Sequence, residues 1–179
     1  MRDEVLYTTR YNLATRRPAR DHAWVPPHEA ERLVRAGEGI EVVDASRRDT
    51  DGAVKPLWLV GLAASGAIRV QLLSPSGSVV RVSDYEVVDG RLWRSSSSDY
   101  DYADDSGRHR LAEAQLTVRT TRAPDGTGTL SINDGASAPT HVTSFADIPT
   151  EGGWLDIPAF GDWGPVVNAT RGATPGVPS

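Results

Sequence analysis

Three glycine-containing turns divide residues 57–94 into short apolar segments, and this spacing constrains the fold more than any other feature of the sequence. The turns lie at residues 65–66, 74–77 and 89–90, and the last of them is the dipeptide Asp-Gly. Asp-Gly favours a two-residue hairpin loop. Apolar segments of strand length joined by short turns predict antiparallel neighbours, because parallel strands need long crossover connections. We therefore expect this part of the chain to form an antiparallel meander.

One helix is predicted before the meander, over residues of about 27–37. Proline suits its first turn, where a missing N–H costs nothing, and Glu29 lies near the positive end of the helix dipole. Ala30, Leu33 and Val34 lie on one face of this helix. Alternating or β-branched segments predict further strands at residues 5–13, 40–44, 112–121, 127–132 and 140–145.

These segments together predict an α+β chain that is mostly antiparallel β, with about eight or nine strands. We expect a bent sheet or partial barrel, with the helix covering one face or one open end. A length of 179 residues fits a single globular domain, which we place at residues 1–167. Residues 168–179 are rich in Ala, Gly, Pro and Thr, so they are expected to form a flexible or partner-docked tail.

The charge and the lack of cysteine argue against several classes of protein. The chain carries 19 Lys and Arg against 24 Asp and Glu, a net charge of −5, whereas nucleic-acid binding requires a basic surface. The absence of cysteine excludes disulfides and thiolate metal sites. The sequence shows neither a membrane-spanning apolar run nor a secretory signal. We therefore expect a cytoplasmic protein that binds neither nucleic acid nor membrane, and the preference for arginine over lysine suggests a bacterial origin.

Motifs of the common enzyme classes are missing from the sequence. It has no P-loop, no dinucleotide-binding glycine pattern that opens a helix, no nucleophile elbow and no zinc-protease helix. Three weaker patterns occur. His28 and Glu31 could contribute to a metal site, and Asp21 could orient His22 as a base. Asp156 and Asp162 could supply the two carboxylates of a sugar hydrolase. Each pattern is more typical of an ordinary polar surface. An enzyme is therefore not favoured, and neither a cofactor nor a metal is predicted.

The sharpest compositional feature is the acidic segment at residues 95–107, which is expected to form a polar loop or a frayed edge strand. It lacks the ligand spacing of a calcium-binding EF-hand loop. Carboxylates interleaved with tyrosines instead suggest a recognition surface for a basic partner, with a solvated loop as the alternative. The candidate partner-binding residues are Asp99, Tyr100, Asp101, Tyr102, Asp104 and Asp105.

A second unusual segment, at residues 151–167, mixes aromatic residues with glycine and proline. So many glycines and prolines predict an irregular path rather than a regular strand or a long helix. Trp154, Phe160 and Trp163 therefore either close the open end of the sheet and complete its core, or form an aromatic rim for a partner. We include all three among the candidate partner-binding residues.

These features favour a non-catalytic protein–protein interaction domain that occludes a basic partner by steric block and charge complementarity. The plan of one helix, a meander and an aromatic C-terminal segment resembles the small acidic immunity proteins of bacterial toxin systems. The resemblance concerns the plan only, and no motif carries a residue over. It implies an immunity-type inhibitor or an adaptor.

Two other functions stay open. The arginine- and proline-containing stretch at residues 16–20 and the C-terminal tail suit a self-associating structural subunit, such as part of a phage-like particle. A partial barrel can also hold a small ligand, as a binding protein or a small enzyme. In that case the cavity would be lined by Trp58, Trp93 and Trp154.

Overall fold

A computed structural model of the chain describes residues 4–135 and 139–172. These residues form thirteen strands, two α-helices and two short 3-10 helices. The strands are β1 (Val5–Thr8), β2 (Tyr11–Asn12), β3 (Arg17–Pro18), β4 (Trp24–Val25), β5 (Ile40–Asp44), β6 (Trp58–Leu62), β7 (Ile68–Leu73), β8 (Val79–Val88), β9 (Arg91–Asp101), β10 (Leu116–Arg122), β11 (Gly128–Asp134), β12 (His141–Phe145) and β13 (Trp154–Leu155). The α-helices are α1 (Pro27–Arg35) and α2 (Gly164–Arg171), and the 3-10 helices span Leu111–Glu113 and Glu151–Gly153.

One antiparallel sheet of eleven strands dominates the described structure. Its order is β12-β11-β10-β9-β8-β7-β6-β5-β1-β4, and β13 pairs with the first part of β9. The strands β2 and β3 form a separate ribbon. The sheet is open, because β12 and β4 lie at its opposite ends and do not pair with each other. The predicted α+β fold with a mostly antiparallel sheet is confirmed.

The predicted meander corresponds to β6, β7, β8 and β9, and local turn chemistry explains its hairpins. Asp89 and Gly90 have positive φ values of 49° and 77°, as a two-residue hairpin loop requires. The predicted helix is also present as α1. It ends where Gly37 adopts a φ of 73° and the amide of Glu38 donates to the carbonyl of Leu33, the usual glycine-terminated helix end.

The predicted boundaries change in two places. Residues 5–13 contain two strands, β1 and β2, rather than one. Residues 168–171 belong to α2 rather than to a tail, while residues 173–179 of the predicted tail lie outside the described residues. The thirteen strands exceed the predicted number because β2, β3, β4 and β13 are pairs of residues too short to be recognised from their sequence.

The acidic segment is not a loop along its first half. Residues 95–101 belong to β9, which lies inside the sheet between β8 and β10. Ser96, Ser97 and Ser98 are buried there, and the Ser96 hydroxyl donates to the Asp84 carboxylate of β8 at 2.8 Å. Pairing on both sides of the strand thus outweighs a composition that is unfavourable for a strand.

The two faces of the sheet carry different structures. On the helix face, α1 packs against β1 and β5, and α2 packs against β7 and β8. One row of cross-strand neighbours on the helix face consists of Val42, Val60, Val70, Ser83, Ser97 and Thr120. The opposite, groove face carries the adjacent row Val43, Leu59, Gln71, Val82, Ser98 and Arg119.

The main hydrophobic core lies on the helix face. Ala30 and Leu33 of α1, and Val166 and Val167 of α2, are buried there against the apolar side chains of the central strands. A smaller core on the groove face is formed by Tyr11, Val43, Ala45, Val54, Leu59, Leu73 and Val79. Both cores lie over β5, β6, β7 and β8, and the main core reaches Leu92 of β9, so the β10–β12 end of the sheet extends beyond them.

The helix α2 forms where the sequence predicts an irregular chain, and contacts with the central strands explain it. Arg81 donates from Nη1 to the Thr170 carbonyl at 3.0 Å, and Arg94 donates from Nη1 to the Ala169 carbonyl at 3.1 Å. The hydroxyls of Tyr85 and Thr170 lie 2.9 Å apart in the buried interior. Cations at a helix C-terminus neutralise its partial negative charge. These contacts hold a short helix that begins with glycine and proline.

Gly153 lies where the C-terminal segment packs against Trp93 of β9, so a substitution at this position tests that contact. A methyl group at position 153 would overlap the ring of Trp93, which is 2% exposed. We expect Gly153→Ala to lower the free energy of unfolding by about 2 kcal/mol or more, because a packed interior resists an added methyl. Gly152→Ala is the matched control, since a methyl there meets no atom within 4 Å. Equal losses for the two variants in urea denaturation would contradict the described packing.

Candidate functional site

The residues predicted to bind a partner lie at opposite ends of β9 and do not form one surface. The carboxylates and tyrosines lie at its C-terminal end and in the turn that follows. Trp154 pairs with Trp93 near the beginning of the strand. At about 3.3 Å per residue, Trp93 lies about 26 Å from Asp101. Along the strand itself, Asp99 and Asp101 lie on the helix face, whereas Tyr100 packs against the smaller core on the groove face.

The acidic turn, residues 102–110, is held in place by its own contacts. The Tyr102 hydroxyl donates to the Val79 carbonyl at 2.8 Å. The Tyr102 ring stacks on His109 with 5.2 Å between ring centroids. Burial raises the pKa of Tyr102, so this phenol stays protonated and remains a donor. The turn is therefore an ordered part of the surface.

The acidic turn carries charges of both signs. The hydroxyl and amide of Ser106 donate to Asp104, which lowers the pKa of Asp104 and keeps its carboxylate ionised. Asp105 is exposed, but Arg108 and Arg110 of the same turn are exposed as well. A partner approaching the turn would therefore meet neighbouring cations beside the carboxylates.

Asp99 is engaged within the protein. Its carboxylate forms an ion pair with the guanidinium of Arg81, the same arginine that donates to the Thr170 carbonyl of α2. Only 14% of the Arg81 side chain and 33% of the Asp99 side chain are exposed. Through Arg81, Asp99 thus connects β9 to the end of α2. It lies at the edge of the part of the helix face that α2 covers.

Beyond Asp99, the helix face continues onto β10 and β11. Val118 and Ile132 lie in line with Asp99 across the sheet, and Leu116 and Leu130 flank them on the same face. All four apolar side chains are partly exposed, and neither core cluster of the described residues includes them. We call these four residues the distal patch: Leu116, Val118, Leu130 and Ile132.

Carboxylates border the distal patch. Leu116 pairs with Asp101 on one side and with Asp134 on the other, and both aspartates are exposed. His141 of β12 lies in line with Ile132. The result is an apolar centre with exposed carboxylates at one end. A surface with apolar side chains and a basic border would be complementary to it.

The aromatic segment mainly completes the core. Trp163 is 5% exposed, and its ring meets Phe160 edge-on with 5.6 Å between centroids. Phe160 in turn stacks on Tyr7 at 5.3 Å. Trp154 is partly exposed and lies 4.9 Å from Trp93, centroid to centroid. Of these three aromatic candidates, Trp163 is therefore core, Phe160 packs against the core, and Trp154 lies at its margin.

The remaining candidates from the sequence have ordinary surroundings. His22 Nδ1 lies 2.6 Å from the Thr9 hydroxyl. Trp58 and Trp93 are buried, and neither of them lines the two cavities, of about 800 and 360 Å³, that lie on the groove face. Within residues 4–135 and 139–172, no group of three or more His, Cys, Asp or Glu could hold a metal ion. No helix in the same ranges is long and apolar enough to cross a membrane.

The sequence pattern does not single out the distal patch. Its apolar residues alternate with polar ones along residues 116–122 and 128–134, as in any half-buried strand. Such a pattern predicts an apolar face but not the element that covers it. Only the positions of α1 and α2, over other strands, reveal that this end of the face lies outside both cores.

Comparisons with protein-family models, with curated proteins and with solved structures find no match to this chain. Similarity therefore assigns neither a family nor a function.

Substitution of Arg81 tests whether this one side chain stabilises the protein through both its ion pair with Asp99 and its hydrogen bonds to α2. Arg81→Met keeps an unbranched side chain but removes the ion pair and the bonds to the helix carbonyls. We expect a loss of about 2–4 kcal/mol in the free energy of unfolding, because a partly buried carboxylate and a helix end lose their donor.

The matched control is Arg91→Met, whose partner Asp156 is 92% exposed. Surface ion pairs contribute only about 0–1 kcal/mol. Urea denaturation of both variants gives the comparison. A loss for Arg81→Met no larger than that for Arg91→Met would show that Asp99 has no structural role.

Proposed function

We propose that this chain is a non-catalytic protein-binding domain whose distal patch docks a partner protein with apolar side chains and a basic border. The observation that supports the proposal is an apolar stretch of the helix face, outside both cores, bordered by exposed carboxylates. Such a domain would act as an inhibitor or adaptor that occludes the surface it covers.

The apolar centre supplies the affinity in this proposal. Val118 and Ile132 lie side by side on neighbouring strands, with Leu116 and Leu130 on either side of them. Apolar patches with a polar rim are typical of protein interaction sites. Each apolar side chain that a partner covers contributes about 25 cal/mol per Å² removed from water. Because the strands are already paired, binding does not have to order their backbone, and only side-chain entropy is lost.

The carboxylate border supplies orientation and partner choice. Asp101 and Asp134 flank the same end of the patch. Exposed charges of one sign steer an oppositely charged partner and speed its association, and salt weakens this effect. A second copy of the chain fits less well, because the copies would bring like charges together. We therefore favour a basic partner over self-assembly.

Photo-crosslinking from neighbouring residues tests the proposal, because side chains alternate between the faces of a strand. Ile132 lies in the distal patch, whereas Asn133 lies on the groove face of the same strand. With benzoylphenylalanine placed at either position of the full chain, we expect a crosslinked partner from an extract of the source organism only for position 132. Equal crosslinking from both positions, or none from position 132, would contradict the proposed surface.

Reversing the charge of single aspartates tests whether the carboxylates beside the distal patch contribute to partner binding. Asp101→Arg changes a carboxylate beside the distal patch, and Asp105→Arg changes one in the acidic turn. We expect the first variant alone to reduce the crosslinked product, by about tenfold at low salt. Loss of the crosslinked product with Asp105→Arg alone would indicate that the partner binds at the acidic turn instead. An adduct that contains a second copy of the chain would instead support a self-associating structural subunit.

A further inference from the structure

A separate polar groove crosses the other face of the sheet. It consists of two cavities of about 800 and 360 Å³, which share Glu41, Gly61 and Arg69 in their walls. The larger one extends over β7, β8, β9 and β10, and the smaller one lies beside β2. Their combined size suits a small molecule, and their position on the groove face makes them independent of the distal patch.

The groove is open at its centre because Gly61 has no side chain. Gly61 of β6 pairs with Glu41 on one side and with Arg69 on the other. A methyl group at position 61 would meet only atoms of Arg69, at 3.9 Å and beyond, so the space above the glycine is open. A side chain in this row would otherwise fill the gap between Glu41 and Arg69.

Arg69 is positioned to bind an anion. Its Nε donates to Oδ1 of Asp84 at 2.7 Å, and the Ser96 hydroxyl donates to Oδ2 of the same carboxylate at 2.8 Å. The carboxylate therefore fixes the guanidinium from one side. Among the described residues, the terminal nitrogens of Arg69 have no hydrogen-bond partner, and its side chain is 60% exposed. A guanidinium held in this way presents two parallel donors to a carboxylate or phosphate.

Further arginines line the same groove, although the chain as a whole has a net charge of −5. Arg119 lies in the larger cavity, and Arg10 and Arg108 lie in the smaller one. None of these three forms an ion pair with another described residue, within 4–135 or 139–172. The groove thus brings several arginines together on an acidic protein.

The acidic groups of the groove offset this charge only in part. Glu41 accepts a hydrogen bond from the Tyr11 amide, and burial raises the pKa of its carboxyl group. Asp84 is committed to Arg69 and Ser96. Glu86 lines the wall as the third acid. The two cavities thus hold four arginines against three acids.

We propose that this groove binds a small organic anion whose phosphate or carboxylate pairs with the free side of Arg69 and whose hydroxylated body lies over Gly61. Thr9, Ser95 and Thr121 line the larger cavity, so its wall includes polar residues that suit such a body. Arg119 provides a second cation on the same face, three strands away and two residues along β10, about 16 Å at about 4.8 Å per strand and about 3.3 Å per residue. That span admits a ligand of sugar-phosphate to nucleotide size.

Amide chemical shifts of the full chain, followed by NMR during titration, test the proposal. The probes are ribose 5-phosphate, citrate, inorganic phosphate and ribose. We expect saturable shifts at Gly61, Arg69, Ser96 and Thr121 with an organic anion, tighter than with inorganic phosphate and absent with ribose. Ribose 5-phosphate and citrate distinguish a phosphate from a carboxylate as the bound group.

Variants separate the groove from general electrostatics. Arg69→Gln should weaken binding at least tenfold, because a charged bidentate contact is lost. Gly61→Val should abolish binding while keeping the fold, since a branched side chain suits a strand and the added atoms fill open space. Arg32→Gln is the control, because Arg32 forms a comparable ion pair with Glu29 on α1.

The outcomes decide between a site and a diffuse charge effect. Saturable binding that both groove variants weaken and Arg32→Gln leaves unchanged supports the proposal. No saturable shift with any anion up to millimolar concentrations, or equal weakening by Arg69→Gln and Arg32→Gln, overturns it. Unchanged dispersion of the amide resonances in Gly61→Val shows that its loss of binding does not come from unfolding.

Discussion

The pairing of β9 with its neighbours on both sides is the constraint on which the rest of the structure depends. This strand pairs with β8 over residues 91–99, with β13 near its beginning and with β10 near its end. Through Arg81 and Arg94, the same pair of central strands also holds the end of α2. Without this strand, the β10–β12 end of the sheet, the C-terminal segment and the second helix would have no common attachment.

The position of β9 also gives the two faces different chemistry. On the helix face, coverage by α2 ends near Arg81 and Asp99, so the apolar residues of β10 and β11 lie outside the core. On the groove face, the row from Glu41 through Gly61 and Arg69 to Asp84 leaves a polar depression. The proposed partner and the proposed small anion therefore occupy opposite faces of one sheet and can bind independently.

The features that the sequence predicts well are those set by local chemistry. The Asp89 and Gly90 hairpin and the helix end at Gly37 follow from residues that tolerate positive φ. The features that it does not predict depend on distant partners. Serines and aspartates become a central strand because β8 and β10 lie beside them, and α2 forms because Arg81 and Tyr85 meet its last turn. The distal patch is defined by which strands the helices leave uncovered, and the groove by Gly61 lying between two charged neighbours. Both features depend on which elements lie side by side in the fold, and no sequence pattern predicts that arrangement.

Solvent access to methyl groups tests most directly whether the helix face has an uncovered apolar end. A soluble gadolinium chelate broadens the NMR signals of methyl groups that solvent reaches. We expect strong broadening for Val118, Leu130 and Ile132, and little for Val60 and Val70, which are fully buried under the helices. Equal protection of both sets would contradict an open distal patch, and with it the proposed binding surface.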